Sequence, residues 1–256
     1  MSVNAKVEAV QIQKNKAQTA YPTVRESIDK KLHSLEEPLK VESIYKIQYG
    51  FEGLAKKDKI AKTVIDVLFG VLALISFIVL YPAIALGIKM SSYGPVIYKQ
   101  VRTGLSGKEF VCYKFRTMHQ INLRRIDGKP IITQKGDRRV FWLGNFMRKT
   151  SLDELPQIIN VIKGDMSLIG PRPYPVRECS YWNNRFDDFY YRYAVKPGIS
   201  GLAQINGFRG GTLDEEHMRR RLDYDLNYVE KCSLSTDLNI IAKTVKQIVS
   251  PHANAH

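Results

Sequence analysis

The chain has 256 residues, 44% hydrophobic and 25% charged. That is enough apolar content for a packed core, and the mean hydropathy of −0.24 excludes a polytopic membrane protein. The formal charge is +14, with +3 in residues 1–57 and +11 in residues 58–256, so an anionic partner is expected: nucleic acid, anionic lipid or a phosphate-bearing substrate.

Residues 1–57 are polar and without sustained period, and they lack the apolar run of a secretory signal. They read as a partly ordered extension. Residues 58–90 contain the one membrane-grade segment, Val64 to Ile88, whose only charge is Asp66. A straight helix of its 25 residues would reach roughly 37 Å, more than a ~30 Å hydrocarbon core. Pro82 inside it removes a backbone donor and predicts a kink. Lysines precede the run (Lys56, Lys57, Lys59, Lys62), and Lys89, Lys99, Arg102 and Lys108 follow it. Positive charge at both ends favours a re-entrant helix over a spanning one.

Val96–Arg102 and Glu109–Thr117 are strand-like, and the turn Thr103-Gly104-Leu105-Ser106-Gly107-Lys108 between them predicts a β-hairpin. Residues 119–135 read as loop. Gly136-Asp137 is expected to cap a helix carrying Val140, Leu143, Phe146 and Met147, and Gly164 to close a helix over Leu155–Lys163. Ser235 or Thr236 is expected to cap a last helix with Leu238, Ile241, Val245, Ile248 and Val249 on one face, core-facing or interfacial. The run Arg219-Arg220-Arg221 reads as a solvated face, or as a contact for anionic headgroups. Residues 251–256 read as a tail. Cys112, Cys179 and Cys232 are odd in number and widely spaced, which excludes a disulfide framework or zinc knuckle and leaves oxygen ligands for any metal.

The densest chemistry lies in Arg148-Lys149-Thr150-Ser151-Leu152-Asp153-Glu154-Leu155-Pro156-Gln157. Ser151 and Glu154 have the spacing of a capping box. Pro156 is out of place in such a helix and suggests a start near itself. On either reading Asp153 sits at the positive end of a helix and near Arg148, both of which favour its ionised form. An ionised, held carboxylate can attack a phosphoryl centre, and its neighbour can share a divalent cation or handle a proton. Prolines on both sides of Arg172 restrict its backbone, as a rigid phosphate clamp requires. The segment Lys196–Gly211 has five glycines in sixteen residues, and its amides are candidates for an anion.

Taken in order, Asp66 in an apolar helix, Tyr113-Lys114-Phe115-Arg116-Thr117-Met118, Ser-Leu-Asp153-Glu154-Leu-Pro-Gln, Gly-Asp-Met-Ser-Leu-Ile-Gly-Pro-Arg172-Pro and Lys196-Pro-Gly-Ile-Ser-Gly-Leu resemble the bacterial sugar transferases. These are monotopic polyprenyl-phosphate phosphoglycosyl transferases, and the likeness runs over about residues 58–250. The resemblance implies an α+β, mostly helical fold: a re-entrant membrane helix over 58–90 and a small cytoplasmic catalytic domain over 91–250, with a β-hairpin and amphipathic interfacial helices. It implies transfer of sugar-1-phosphate from a nucleoside diphosphate sugar to a polyprenyl phosphate, with Mg²⁺, at the cytoplasmic face of the inner membrane. UMP leaves when the donor is a UDP-sugar, and the acceptor is undecaprenyl phosphate.

The family's catalytic dyad falls on Asp153 and Glu154, which would also hold the metal. The expected substrate and phosphate contacts are Lys114, Arg116, Arg148, Arg172, Lys196, Arg209 and Asp237. Two departures stand out: Tyr81 precedes the kink Pro82 where many members have Ser, and Phe208 displaces Arg209 by one position. The Asn-Gly-Phe-Arg-Gly form resembles members that transfer a neutral hexose-1-phosphate, glucose or galactose. Such members often carry a multispanning N-terminal domain, for which this chain shows no counterpart. Inner-membrane lipids are expected partners, oligomerisation is open, and nucleic acid is not expected because no recognisable module interleaves aromatic and basic residues. The competing reading is a non-catalytic membrane scaffold in which the dyad only caps a helix.

Overall fold

The computed structural model describes residues 56–119, 133, 136–212 and 214–249. The polar extension up to residue 55, most of the 119–135 loop and the 251–256 tail lie outside them. Helix α1 spans Lys56–Ser91, 36 residues, and continues through Pro82. Among the described residues it is the one helix long and apolar enough to cross a membrane. Phe77 and Tyr81 before Pro82, and Ile84 and Ile88 after it, join one cluster with Phe115, Phe141 and Met147. The proline therefore does not divide α1 into two separately packed limbs. The opposite side of α1 stays uncovered: Val67, Leu68, Val71, Leu72, Ile75, Ile78, Val79 and Leu86 are all exposed.

The hairpin forms as expected. Strand β1 (Ile97–Thr103) pairs antiparallel with β2 (Glu109–Phe115), joined by a single 3₁₀ turn over Leu105–Gly107. Helix α2 (Trp142–Lys149) begins later than Gly136-Asp137 predicts. Asp137 does not cap it, because its carboxylate instead grips Arg139 through both oxygens. A 3₁₀ segment over Leu152–Gln157 runs into α3 (Ile158–Lys163). The expected single helix is thus divided after Gln157, and Pro156 lies in the tighter 3₁₀ segment rather than in the α-helix. Gly164 ends α3 in the left-handed region at φ 81°, as foreseen.

Strand β3 (Ser167–Ile169) leads into the Pro-Arg-Pro segment, followed by α4 (Val176–Asn183). Strand β4 (Gly198–Ser200) pairs parallel with β3, and a one-turn helix α5 (Leu202–Ile205) follows. This assigns the glycines at 198 and 201 to close strand packing rather than to an anion. A Cβ on Gly198 would lie 2.1 Å from the Gly170 nitrogen, and one on Gly201 would lie 2.3 Å from the Gly170 carbonyl oxygen.

Helix α6 (Glu215–Glu230) is capped by Asp214, whose side chain accepts from the amides of Glu216 and His217. Helix α7 (Leu234–Val249) starts one residue before the expected caps, and the hydroxyl of Ser233 accepts from the Thr236 amide. Its buried side is also rotated from the expected face: Leu238 and Val245 are exposed, whereas Asp237 and Ile240 are buried. Ile240 packs with Ile169, Val195, Tyr228 and Val229.

A local test of this packing is Gly144, where α2 crosses the chain leaving β2. A Cβ there would fall 2.2 Å from the Thr117 carbonyl oxygen. Gly144→Ala should destabilise the fold by about 1–3 kcal/mol through overpacking, read as a lowered thermal midpoint. An unchanged midpoint would mean that the two segments part at no cost.

Candidate active site

Asp153 and Glu154 lie in the 3₁₀ segment, and Ser151 explains their presentation. Its backbone is left-handed (φ 58°, ψ 14°) and its side chain caps nothing. The capping box is therefore not formed, which removes the sequence argument for a purely structural dyad. The strained turn aims the two adjacent carboxylates at different surroundings.

Glu154 is locked. Its Oε1 accepts from Lys114 Nζ at 2.7 Å and from Arg172 Nη2 at 2.7 Å, and Oε2 accepts from Arg172 Nη1 at 3.2 Å. Lys114 comes from β2 and Arg172 from the turn after β3, so three elements meet here. Burial alone would raise the Glu154 pKa, but the two cations overcome it and hold the carboxyl well below its usual range. Glu154 also raises the Arg172 pKa, whereas burial lowers that of Lys114.

Asp153 is different. No hydrogen bond or ion pair reaches its carboxylate among the described residues. It is buried, and burial, reinforced by the charge of Glu154, raises its pKa from 3.8 to about 6. The expectation that Arg148 and a helix end would keep it strongly ionised is thus reversed in direction. Arg148 contributes a favourable field, but its Nε donates to the Thr117 hydroxyl at 2.8 Å, and Asp153 lies within a 3₁₀ segment rather than at the end of a helix with a sizeable dipole. Arg209 also feels both carboxylates, and burial lowers its pKa.

The structure therefore brings together Asp153, Glu154, Lys114, Arg172, Arg148 and Arg209. Three other candidates lie elsewhere. Arg116 holds the end of α1, donating to the carbonyls of Ser92 (2.7 Å), Tyr93 and Gly94 (3.3 Å). Lys196 Nζ lies near Gly164 at the end of α3. Asp237 is buried against Lys62 (2.5 Å) and Tyr228 (2.7 Å). Arg116 and Asp237 find partners distant in sequence, which motif position does not reveal.

Sequence reasoning also missed the groups that fix the clamp. The Pro171 carbonyl accepts from the Gly198 amide at 3.0 Å, and that of Tyr174 accepts from the Thr103 amide at 3.1 Å. Arg192 donates to the Arg172 carbonyl at 2.7 Å, and Arg102 to that of Pro173 at 2.5 Å. Arg221, expected on a solvated face, is buried instead and donates to the carbonyls of Gly210 (2.8 Å) and Arg209 (3.0 Å). Its signal was available only as position i+3 from the buried Met218 on α6.

No cluster of three or more metal-ligating side chains occurs among the described residues. The donor set still suits Mg²⁺, which takes one or two protein carboxylates and completes its shell with water and substrate phosphates. Asp153 offers an open carboxylate, whereas both oxygens of Glu154 are already held by cations.

Comparison with known proteins adds an independent line. A family model described as bacterial sugar transferase matches residues 57–251. Three similar proteins are named UDP-glucose:undecaprenyl-phosphate glucose-1-phosphate transferase. That of Xanthomonas campestris pv. campestris is 43% identical over 192 residues, covering 74% of this chain and 39% of the relative. That of Caulobacter vibrioides is 42% identical over 190 residues, covering 74% and 70%. That of Escherichia coli is 40% identical over 194 residues, covering 75% and 41%. The match thus spans about two fifths of the length of two of these relatives.

Proposed function

This chain belongs to the bacterial sugar transferase family, and on that premise we propose that it is a phosphoglycosyl transferase moving hexose-1-phosphate, glucose-1-phosphate first, from a UDP-sugar to undecaprenyl phosphate. The observation that carries this reading is the contrast within the dyad: one carboxylate clamped by Lys114 and Arg172, the other buried beside it without a partner.

In the reaction, an ionised Asp153 oxygen attacks the phosphorus that bears the sugar. The bond from that phosphorus to the bridging oxygen breaks, and UMP departs with the electron pair. A phosphate oxygen of undecaprenyl phosphate then attacks the aspartyl phosphate, and Asp153 is released as a carboxylate. Arg172, Arg148 and Arg209 offset charge that develops on the transferring group, the main task in phosphoryl transfer. Glu154 works as a fixed anion that orients Lys114 and Arg172, and with both oxygens held by cations and its pKa lowered it is a poor general base. Mg²⁺, held by Asp153 and the donor phosphates, would neutralise the pyrophosphate charge.

A location at the cytoplasmic face of the inner membrane fits the same picture. Both ends of α1 are tied to one domain: Lys62 to Ile169, Tyr228 and Asp237, and the carbonyls after Ser91 to Arg116. A helix whose two ends touch one domain supports entry and exit on the same side, since opposite ends would be separated by a ~30 Å hydrocarbon core. Its uncovered apolar side would face lipid.

The test is UMP release in lipid nanodiscs across UDP-sugars with undecaprenyl phosphate, with the lipid product identified by mass. UMP release with glucose or galactose donors supports the reading, and inertness toward every UDP-sugar removes it. The pH profile offers a further check. Because attack needs the ionised carboxylate, kcat/KM should fall below an apparent pKa of about 6. Glu154→Gln removes the adjacent negative charge and should move that acid limb to lower pH in whatever activity remains. An acid limb that stays in place would show that another group controls it.

A further inference from the structure

Lys62 has no role in the chemistry above, yet it is buried, 5% exposed, in the first turns of α1. Its ammonium donates at 3.1 Å to the Ile169 carbonyl, at 2.5 Å to Asp237 Oδ2 and at 3.1 Å to the Tyr228 hydroxyl. Tyr228 OH lies 2.7 Å from Asp237 Oδ1 and 3.1 Å from the Ile169 carbonyl oxygen. The phenol has one proton for those two acceptors. When it serves the carboxylate, Lys62 is the donor left to the carbonyl. Four residues along α1, Asp66 Oδ1 accepts from the Leu168 amide at 2.9 Å and from the Ser167 hydroxyl at 3.0 Å. One turn of α1 thus grips β3 at two points, Ile169 and Ser167-Leu168.

Strand β3 ends at Ile169, and three residues later comes Arg172. The intervening Gly170-Pro171 is stiffened by the proline and pressed against β4 at Gly198 and Gly201. A shift of the Ile169 peptide therefore passes to Arg172 with little room to be absorbed.

We propose that Lys62 is a positioning residue for Arg172: by holding the Ile169 carbonyl it fixes the start of the segment whose guanidinium clamps Glu154. The inference rests on the proposed transferase reading for its kinetic consequence, but its structural half stands apart from any activity.

Both halves are tested on the full chain in lipid nanodiscs with UDP-glucose and undecaprenyl phosphate. Lys62→Met should lower kcat by about 10- to 100-fold with donor KM changed by less than about threefold, the pattern of an interaction realised in the transition state. Lys62→Arg should recover much of the loss. In an Arg172→Lys background, Lys62→Met should cost at most about threefold, because the two act along one path. Lys62→Met leaves the buried Asp237 carboxylate without a cation and can unfold the protein, so the pair Lys62→Met/Asp237→Leu, which removes both buried charges, is made alongside. That pair should restore the thermal midpoint without restoring kcat.

Recovery of both midpoint and kcat would overturn the inference, as would an equal loss in the Arg172→Lys background. Amide exchange supplies the readout that needs no turnover. Protection should fall in the folded pair variant at the Gly170 amide, which donates to the Ser200 carbonyl at 2.9 Å, and at the Gly198 amide, which donates to the Pro171 carbonyl at 3.0 Å; unchanged protection would overturn the inference even if the wild type released no UMP. A wild type that is inert with every UDP-sugar would instead count against the transferase reading.

Discussion

Asp153→Asn is expected to abolish UMP release while leaving a fold at least as stable as the wild type. An amide cannot form the acyl phosphate, so activity should drop by at least about 10³-fold, to the level set by binding alone. Stability should move the other way. The folded-state pKa of Asp153 is raised from 3.8 to about 6. A raised carboxyl favours the folded state below pH 3.8, and this advantage is lost as pH rises through about 6. At neutral pH the ionised side chain therefore costs up to roughly 3 kcal/mol, which the neutral amide relieves in part. Thermal melts at pH 7 and pH 5 read this directly: the asparagine variant should exceed the wild type at pH 7, and the gap should narrow at pH 5. Full turnover by the variant would remove Asp153 as the nucleophile. A lower midpoint at pH 7 would show that the carboxylate has a stabilising partner.

The second large effect lies behind the site. Arg192 and Asp225 form a pair with side chains 2% and 3% exposed, at 2.6 Å. Arg192→Met would leave the Asp225 carboxylate buried and uncompensated, and would strip the Arg172 carbonyl of its donor. The expected loss is about 3–5 kcal/mol, read from the thermal midpoint of the full chain in detergent. Arg192→Met/Asp225→Leu should recover most of that stability, since an apolar pair avoids the buried charge. Activity should stay low, because the Arg172 carbonyl remains without its partner. If the single variant melts like the wild type, the pair contributes nothing to the fold.

What could be read from the chain before its structure follows from the range of each interaction. The apolar helix, the hairpin and the Gly164 stop depend on neighbours within a few residues, and composition or turn chemistry exposes them. Asp153, Glu154, Arg148 and Arg172 stand out through adjacent carboxylates, a nearby cation and flanking prolines, whereas Lys114 and Arg209 become visible through motif resemblance. Arg116 and Asp237 stand in equally motif-rich stretches, but their partners lie at the end of α1 and on Lys62. Arg221 was hidden inside a charge run, where one arginine faces the core and Arg219 and Arg220 pair outside with Asp223 and Glu216. Ser151 was misread because its left-handed backbone, uncommon for a residue with a Cβ, left its hydroxyl no route to the expected amide.

The seating of α1 along the domain has a practical consequence. Cutting the chain near Ser92 to obtain a water-soluble fragment would not simply detach an anchor. Ile88 would leave its place beside Phe115 and Phe141, and Ala73 and Leu74 would leave Ile158 and Met166. Asp237 would be stranded without its ammonium. The helix that would be discarded as a tether is a wall of the folded body, so such a fragment would be expected to precipitate rather than dissolve.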